Sequence, residues 1–346
     1  MSPGSAGEAF RLPPLRVLPS DTNVLRSEVL RRARRVNEPA SRMLTAARSD
    51  SARILTTPHV IEEMDRDIHG FARDTGVDPE RAAAVWEQEC RPEIVVVDVR
   101  DLIGAMAGHP LVAPTFGRHP QDAPFAVLCA LLGVRGLSED PDLAQVATGR
   151  AWLSHVIAVT DAGRADIVLV STGLGGELTV RGAVTGARRA YGGLQKAVGP
   201  TAASSVVLGL ALLVFLALLH EPTRQRLVSS PPVQFAGRAA RELGVAVLTT
   251  AGRGAEGEAF LSEKALPDDA NTLPVAKLVQ HLAGARSPRS TDELARLIGQ
   301  DRDTIEIMLD RHACFRPTAD GVWQLGHRLG GDRGYPVAPT ISPYFG

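Results

Sequence analysis

Aromatic side chains are scarce in this chain, 4% of 346 residues, which disfavours modules that bind nucleic acid by stacking bases on a sheet. Cysteine is scarcer still. Cys90, Cys129 and Cys314 are odd in number, far apart and in no zinc-ligand spacing. They exclude a disulfide framework and a zinc site, so a reducing compartment, the cytoplasm, is expected. Net charge is −1, so any attraction to nucleic acid must be local rather than global. The first twenty residues hold no apolar run, and no secretion leader is expected there. Gly173–Gly176 has no Gly-Lys-Ser/Thr after it, so it reads as a turn and not as a phosphate loop. His59 and His69 lack a partner at ligand spacing and read as surface residues or caps.

Apolar residues, at 44%, are abundant enough for a substantial core, and the length allows two or three domains. From about residue 10 to 150 the chain alternates short β-branched runs with helical patterns. Leu15–Pro19, Arg53–Thr56, Glu93–Val99 and Val134–Ser138 read as strands. Val24–Val36, the segment opened by Pro58, and Asp122–Leu132 read as helices, with Asp21, Thr22 and Asn23 all suitable as caps for the first. This alternation predicts an α/β fold, a parallel sheet flanked by helices.

Acids stand where those strands end or helices begin. They are Asp21 in PSDTNVL, Glu63 in PHVIEEM, Asp122 in QDAPFAVLCALLG and Asp140 in GLSEDPDL. Carboxylates gathered at the C-terminal edge of a parallel sheet bind divalent metal, and such a metal can support phosphodiester hydrolysis. Each acid alone is better explained as a helix cap or first-turn charge than as a ligand. The four together, in this order, resemble a PIN-domain nuclease from about residue 15 to about 150. The resemblance rests on the strand ending in Asp-Thr-Asn-Val-Leu and on the Val-x-x-Glu-hydrophobic step at Val60–Met64. It also rests on the helix opened by Asp122 and the Ser-x-Asp-x-Asp-Leu turn at Ser138–Leu143. It implies a metal-dependent ribonuclease, many of whose relatives are toxins of toxin–antitoxin pairs. It further implies that Asp21, Glu63, Asp122 and Asp140 are catalytic and bind Mg²⁺ or Mn²⁺, with Asp142 as a fifth metal-binding acid. Glu63 is chosen over Glu62 because Met64 follows it.

An arginine-rich stretch follows Asp21. Arg26, Arg31 and Arg35, with Asn23, are the candidates for gripping a nucleic-acid backbone, against the alternative of a solvated helix face. The expected substrate is RNA, with single-stranded DNA as the second choice.

Residues 151–270 read as a middle region. Asp166–Ser171 is a strand candidate, Glu177–Val198 is helical in part, and Val206–Leu219 is continuously apolar apart from Gly209. The apolar helix expected over 202–219 is either a membrane span or a buried or interface helix, so membrane association is a second expectation for localisation. Val233–Leu243 reads as an amphipathic helix, Val245–Thr249 as a strand, and Gly252–Asp269 as a linker.

Residues 272–328 carry a helix at Val275–Leu282, a capping box at Ser290 and Glu293, and a break at Gly299. A helix capped by Asp301 and a hairpin around Ala319–Gly321 follow. This resembles a winged helix-turn-helix over roughly 55 residues. Its third helix is acidic, with Asp301, Asp303, Glu306 and Asp310 against Arg302 and Arg311, so phosphate repels it. A docking site for an inhibitor or regulatory protein, or for a second copy in a homodimer, is favoured over operator reading. Residues 329–346 read as a tail. Two readings remain open beside the nuclease: a catalytically dead PIN-like scaffold in a DNA-binding regulator, and a membrane-tethered sensor or interaction protein.

Overall fold

Three short parallel strands supply the frame, each formed by a β-branched or apolar run that points both faces into the core. They are β1 (Arg16–Pro19), β2 (Ala52–Thr56) and β3 (Ile94–Val96). β1 pairs with β2, with Leu18 opposite Ile54, and β2 pairs with β3, with Leu55 opposite Val95. The computed structural model describes residues 14–35, 37–168, 231–266 and 273–330. These fall into two compact units. One contains 14–164 and 254–330, and the other contains the described residues 165–168 and 231–253.

In the first unit, helix α1 (Thr22–Arg34) leaves β1. Helix α2 (Arg42–Arg48) precedes β2, and α3 (Pro58–Asp74) follows it with Pro58 in its first turn, where a missing N–H costs nothing. Helix α4 (Pro79–Val85), capped by Asp78, continues into a π-turn at Trp86–Cys90 and leads to β3. After β3 come two short helices, α5 (Ile103–Met106) and α6 (Ala113–Arg118), then α7 (Ala123–Leu132). All ten residues of α7 are buried, so it is a central core helix.

Two strands differ from expectation. β3 stops at Val96, because the chain turns away at Asp98 to Arg100, where the Asp98 carboxylate accepts from the Arg100 backbone and guanidinium. Val134–Ser138 is not a continuous strand. Only Gly136 and Leu137 pair, Leu137 beside Ser20 and Gly136 beside Ala147. Leu137 N–H donates to the Pro19 carbonyl at 2.7 Å, and Asp21 N–H to the Leu137 carbonyl at 3.0 Å. That pairing suffices to bring the 138–142 turn beside the end of β1.

The chain is helical over 152–168 (α8), so the first three residues of the strand expected at Asp166–Ser171 are helical, and the rest of that segment lies outside the described residues. The buried residues Val156, Val159, Ala162 and Ala165 recur at helical spacing. Residues 169–230 lie outside the described residues, and with them the expected helix at Glu177–Val198 and the apolar segment 202–219. Among the described residues no helix is long and apolar enough to cross a membrane.

Helix α9 (Pro231–Glu263) replaces both the strand expected at Val245–Thr249 and most of the linker expected at Gly252–Asp269. Thr249 and Thr250 satisfy their hydroxyls by donating to the carbonyls of Val245 and Ala246, one turn back, which removes their preference for extended chain. Gly257 is needed for packing: a Cβ there would lie 2.6 Å from the Ala158 carbonyl of α8.

The C-terminal region supplies α10 (Pro274–Ala283), β4 (Arg289–Ser290), α11 (Thr291–Ile298), α12 (Arg302–Arg311), β5 (Phe315–Ala319) and β6 (Val322–Leu325). The expected caps are present. Ser290 Oγ accepts from Glu293 N–H at 3.2 Å, Gly299 closes α11 at φ +75°, and Asp301 accepts from Thr304 N–H at 2.8 Å. Trp323 is buried and donates to Thr291 Oγ1. Strand β7 (His327–Arg328) then leaves the hairpin and pairs antiparallel with β3, giving the sheet order β1-β2-β3-β7. The fold is therefore mixed α/β, mostly helical around a small parallel sheet with one antiparallel edge.

One apolar cluster joins the two regions. It runs from Val97 and Leu128 of the N-terminal part to Leu278, Ile305, Leu309 and Trp323 of the C-terminal part. Arg53, on β2, reinforces this junction by donating to the carbonyls of Leu282, Ala283 and Ala285 at 3.2, 3.1 and 2.7 Å, at the negative end of α10. Arg53→Met leaves those carbonyls without their charged donor. It is expected to lower unfolding free energy by about 2 kcal/mol in denaturant titration. An unchanged midpoint would show that the junction does not depend on it.

Candidate active site

Asp21 and Glu63 follow the C-terminal ends of β1 and β2. β1 ends at Pro19, Ser20 is fully buried, and Asp21 follows as the N-cap of α1. Asp21 Oδ1 accepts the Thr22 N–H at 2.8 Å, and Oδ2 accepts Ser138 Oγ at 2.7 Å and Asn23 Nδ2 at 2.9 Å. Three of the roughly four acceptor positions of its carboxylate are thus used, leaving one free.

Asn23 does not face outward with its amide free. Nδ2 also donates to Ser138 Oγ at 3.0 Å, and Oδ1 accepts the Glu139 N–H at 3.2 Å. It fastens the start of α1 to the 138–140 turn. Ser138 is buried and is the hub of that turn, since its Oγ also accepts the Asp140 N–H at 3.0 Å. Asp140 caps the short 3-10 turn at Pro141–Leu143, accepting the Asp142 N–H at 2.8 Å. Asp142 lies with Oδ2 3.0 Å from His119 Nε2, and its carbonyl accepts from the buried Thr115 hydroxyl.

Glu63 comes from the second turn of α3. Its Oε2 accepts the Thr22 hydroxyl at 2.6 Å, which links it to the Asp21 loop. Glu63 is half-buried and Glu62 is exposed, so the structure favours the same choice between them as the sequence did. Asp122 precedes α7 and is also half-buried.

Electrostatics tie these acids together. Burial, first, and then the charges of Asp122 and Glu63 push the Asp21 carboxyl up to about 6, against the lowering effect of the Ser138 and Thr22 hydrogen bonds. Asp21 is half-buried by exposure, yet it sits within densely packed surroundings, and that crowding is what raises it. Asp122 is also raised, by burial first and then by Asp140 and Glu63, while His59 and His119 act in the opposite direction. Asp21, Glu63, Asp122 and Asp140 therefore share one field, although each comes from a different segment.

The donor set is all oxygen, the kind that hard divalent cations prefer. Among the described residues no group of three or more His, Cys, Asp or Glu side chains stands close enough to hold a metal ion as placed. A cation that keeps its own waters needs just one or two direct carboxylates.

Thr22, Ser138 and His119 are the parts of this arrangement that sequence reasoning assigned no role at a site. Thr22 and Ser138 lie inside the quoted motifs, but only the fold shows that their hydroxyls join separate segments. Arg26, Arg31 and Arg35 lie further along α1. Arg31 pairs with the buried Glu28 at 2.7 Å, Arg35 with Glu38 at 3.3 Å, and Arg26 covers the Phe71 ring at 5.0 Å. No known family model, curated protein or solved structure matches the chain.

Proposed function

We propose that this protein is a divalent-metal-dependent phosphodiesterase of PIN type that cleaves single-stranded RNA. The observation that supports the reading is the hydrogen-bond chain in which Thr22 joins Asp21 to Glu63 and Ser138 joins Asp21 to Asp140, with the charges of Glu63 and Asp122 acting on Asp21 and that of Asp140 on Asp122. Helix capping explains Asp21 and Asp140 one at a time, but it gives no reason for the four to share a field.

Asp21, Asp122 and Asp140 would hold Mg²⁺ or Mn²⁺, with Asp142 at the margin beside His119. When bound, the cation makes a coordinated water more acidic and offsets charge on the scissile phosphate. The chain's own residues do the rest. Glu63, fixed by the Thr22 hydroxyl, orients the attacking water or holds a second ion. Water attacks phosphorus in line and gives up a proton to solvent, the P–O bond to the leaving nucleotide breaks, and that oxygen takes a proton from solvent. No protein nucleophile is required. The C-terminal part, which resembles a winged helix, is proposed to dock a regulatory partner through the acidic face of α12.

Labelled single-stranded RNA and DNA, each incubated with Mn²⁺ or with EDTA, test this reading. Cleavage of RNA in Mn²⁺ alone is expected. Cleavage that persists in EDTA, or no cleavage of either strand, goes against it. The raised Asp21 carboxyl adds a pH dependence. Protons compete with the cation for Asp21, so the thermal stabilisation given by Mn²⁺ should shrink as pH falls through about 6. Stabilisation that is constant from pH 7.5 to 5 would remove Asp21 from the metal site.

A further inference from the structure

A second concave feature lies along the same helix. A cleft of about 460 Å³ is walled by Arg26, Arg31 and Arg34 of α1, by Arg35 just past its end, and by Phe71 and Asp74 of α3. Arg26 stands one turn past Thr22 and Arg34 three turns past it, so the cleft runs from about 6 to about 18 Å from the acids along the helix axis.

Its chemistry is that of a nucleotide seat. The volume lies in the range of small-ligand pockets. Four guanidinium groups outnumber the one carboxylate in its wall. Arg31 gives one edge to Glu28 and Arg35 one edge to Glu38, which holds both heads in place and leaves their other N–H groups for a phosphate. The Arg26 guanidinium lies 5.0 Å above the Phe71 ring, and such a cation–aromatic stack presents a flat face on which a base can lie. Asp74 can accept from sugar hydroxyls.

We infer that this cleft seats one nucleoside monophosphate unit of the RNA strand, with its phosphate on Arg31, Arg34 and Arg35 and its base against the Arg26–Phe71 stack. The inference rests on the nuclease reading for the identity of the strand, and on the cleft alone for nucleotide binding.

The test is calorimetric titration of the full chain in EDTA with 5′-AMP, adenosine, inorganic phosphate and a 5′-phosphorylated tetraribonucleotide. Saturable 5′-AMP binding is expected, with adenosine and phosphate at least ~10-fold weaker. Arg26→Gln with Arg35→Gln should weaken 5′-AMP at least ~10-fold, and the charge-matched Arg296→Gln with Arg311→Gln should not. Ser27→Glu, which leaves every arginine in place and adds an opposing charge to the wall, should give the same loss. The tetranucleotide should displace 5′-AMP. The seat is overturned by an absence of saturable 5′-AMP binding up to ~10 mM, by equal affinity in the variants, or by phosphate binding as tightly as 5′-AMP. Binding of 5′-AMP without displacement by the tetranucleotide overturns its assignment to the strand. Nucleotide binding in a chain that cuts nothing in Mn²⁺ would instead sink the nuclease reading and leave the seat standing.

Discussion

Asp21→Asn is expected to lower Mn²⁺-dependent RNA cleavage by at least about 10³-fold while making the protein more stable at neutral pH. Loss of activity alone would be uninformative, because many substitutions impair folding. The opposite direction of the two effects is what identifies a functional acid. Asp21 is ionised at pH 7.5 in surroundings that disfavour its charge, and moving its carboxyl from 3.8 to about 6 corresponds to about 3 kcal/mol at most. The amide loses part of this gain, since its Nδ2 would face the Asn23 donor that Oδ2 now accepts. A net gain of about 1–2 kcal/mol remains.

The sign of the pH dependence follows. The folded value lies above the unfolded one, so protonated Asp21 contributes stability that is fully present below 3.8 and is lost as pH rises through about 6. The variant lacks that titration. Its advantage over the natural protein should be greatest above pH 6 and should fade toward pH 4. Melting both proteins across this range isolates the Asp21 contribution, because the other carboxylates titrate alike in the two. A variant less stable than the parent at pH 7.5 would show that Asp21 is a structural cap and nothing more.

The second large effect concerns Gly326, between the hairpin and β7. It adopts φ +61°, and a Cβ at this position would run into the Val96 carbonyl of β3. Its N–H donates to the Cys314 carbonyl at 2.7 Å, which fixes the turn. Backbone on both sides leaves no flexible side chain to yield. Gly326→Ala should therefore cost about 3 kcal/mol or more, combining an unfavourable φ with overpacking. The expected casualties are the β3–β7 pairing and the Arg328 contacts to the Pro92 carbonyl and to Glu93. Hydrogen exchange would report this as lost protection at Val96 together with His327 and Leu329, whose amides lie on the facing sides of β3 and β7. Retained protection there would mean that the edge strand forms without the close approach at Gly326.

Local signals in the sequence carried much of the fold. Pro58, Ser290, Gly299 and Asp301 marked helix ends correctly because a cap or a helix-breaking backbone acts over three or four residues. The first two strands were equally readable from continuous apolar runs. The errors arose where tertiary contacts decide. Val245–Thr249 has strand-forming composition but lies within a long helix, and Gly257 is a helix-crossing point rather than part of a linker. β7 is two residues long and has no pattern of its own. It exists because Gly326 allows the chain onto the edge of β3.

The candidate acids were visible in sequence, and hydrogen bonds link three of them, Asp21, Glu63 and Asp140, through Thr22 and Ser138. Their connections were not visible. A threonine that links Asp21 to Glu63, and a serine that links it to Asp140, leave no periodic trace. Asn23 looked like a group for nucleic acid, and its amide is engaged within the protein. The arginines were noticed as a run, but only the placement of Phe71 beside them reveals a cleft.

The most direct test of the central claim is Mn²⁺ binding, measured by electron paramagnetic resonance on the natural protein and on Asp21→Asn at pH 7.5. The acid cluster predicts stoichiometric, protein-bound Mn²⁺ in the natural chain and a loss of that signal in the variant. Equal binding by the two proteins, or no bound Mn²⁺ in either, would contradict it.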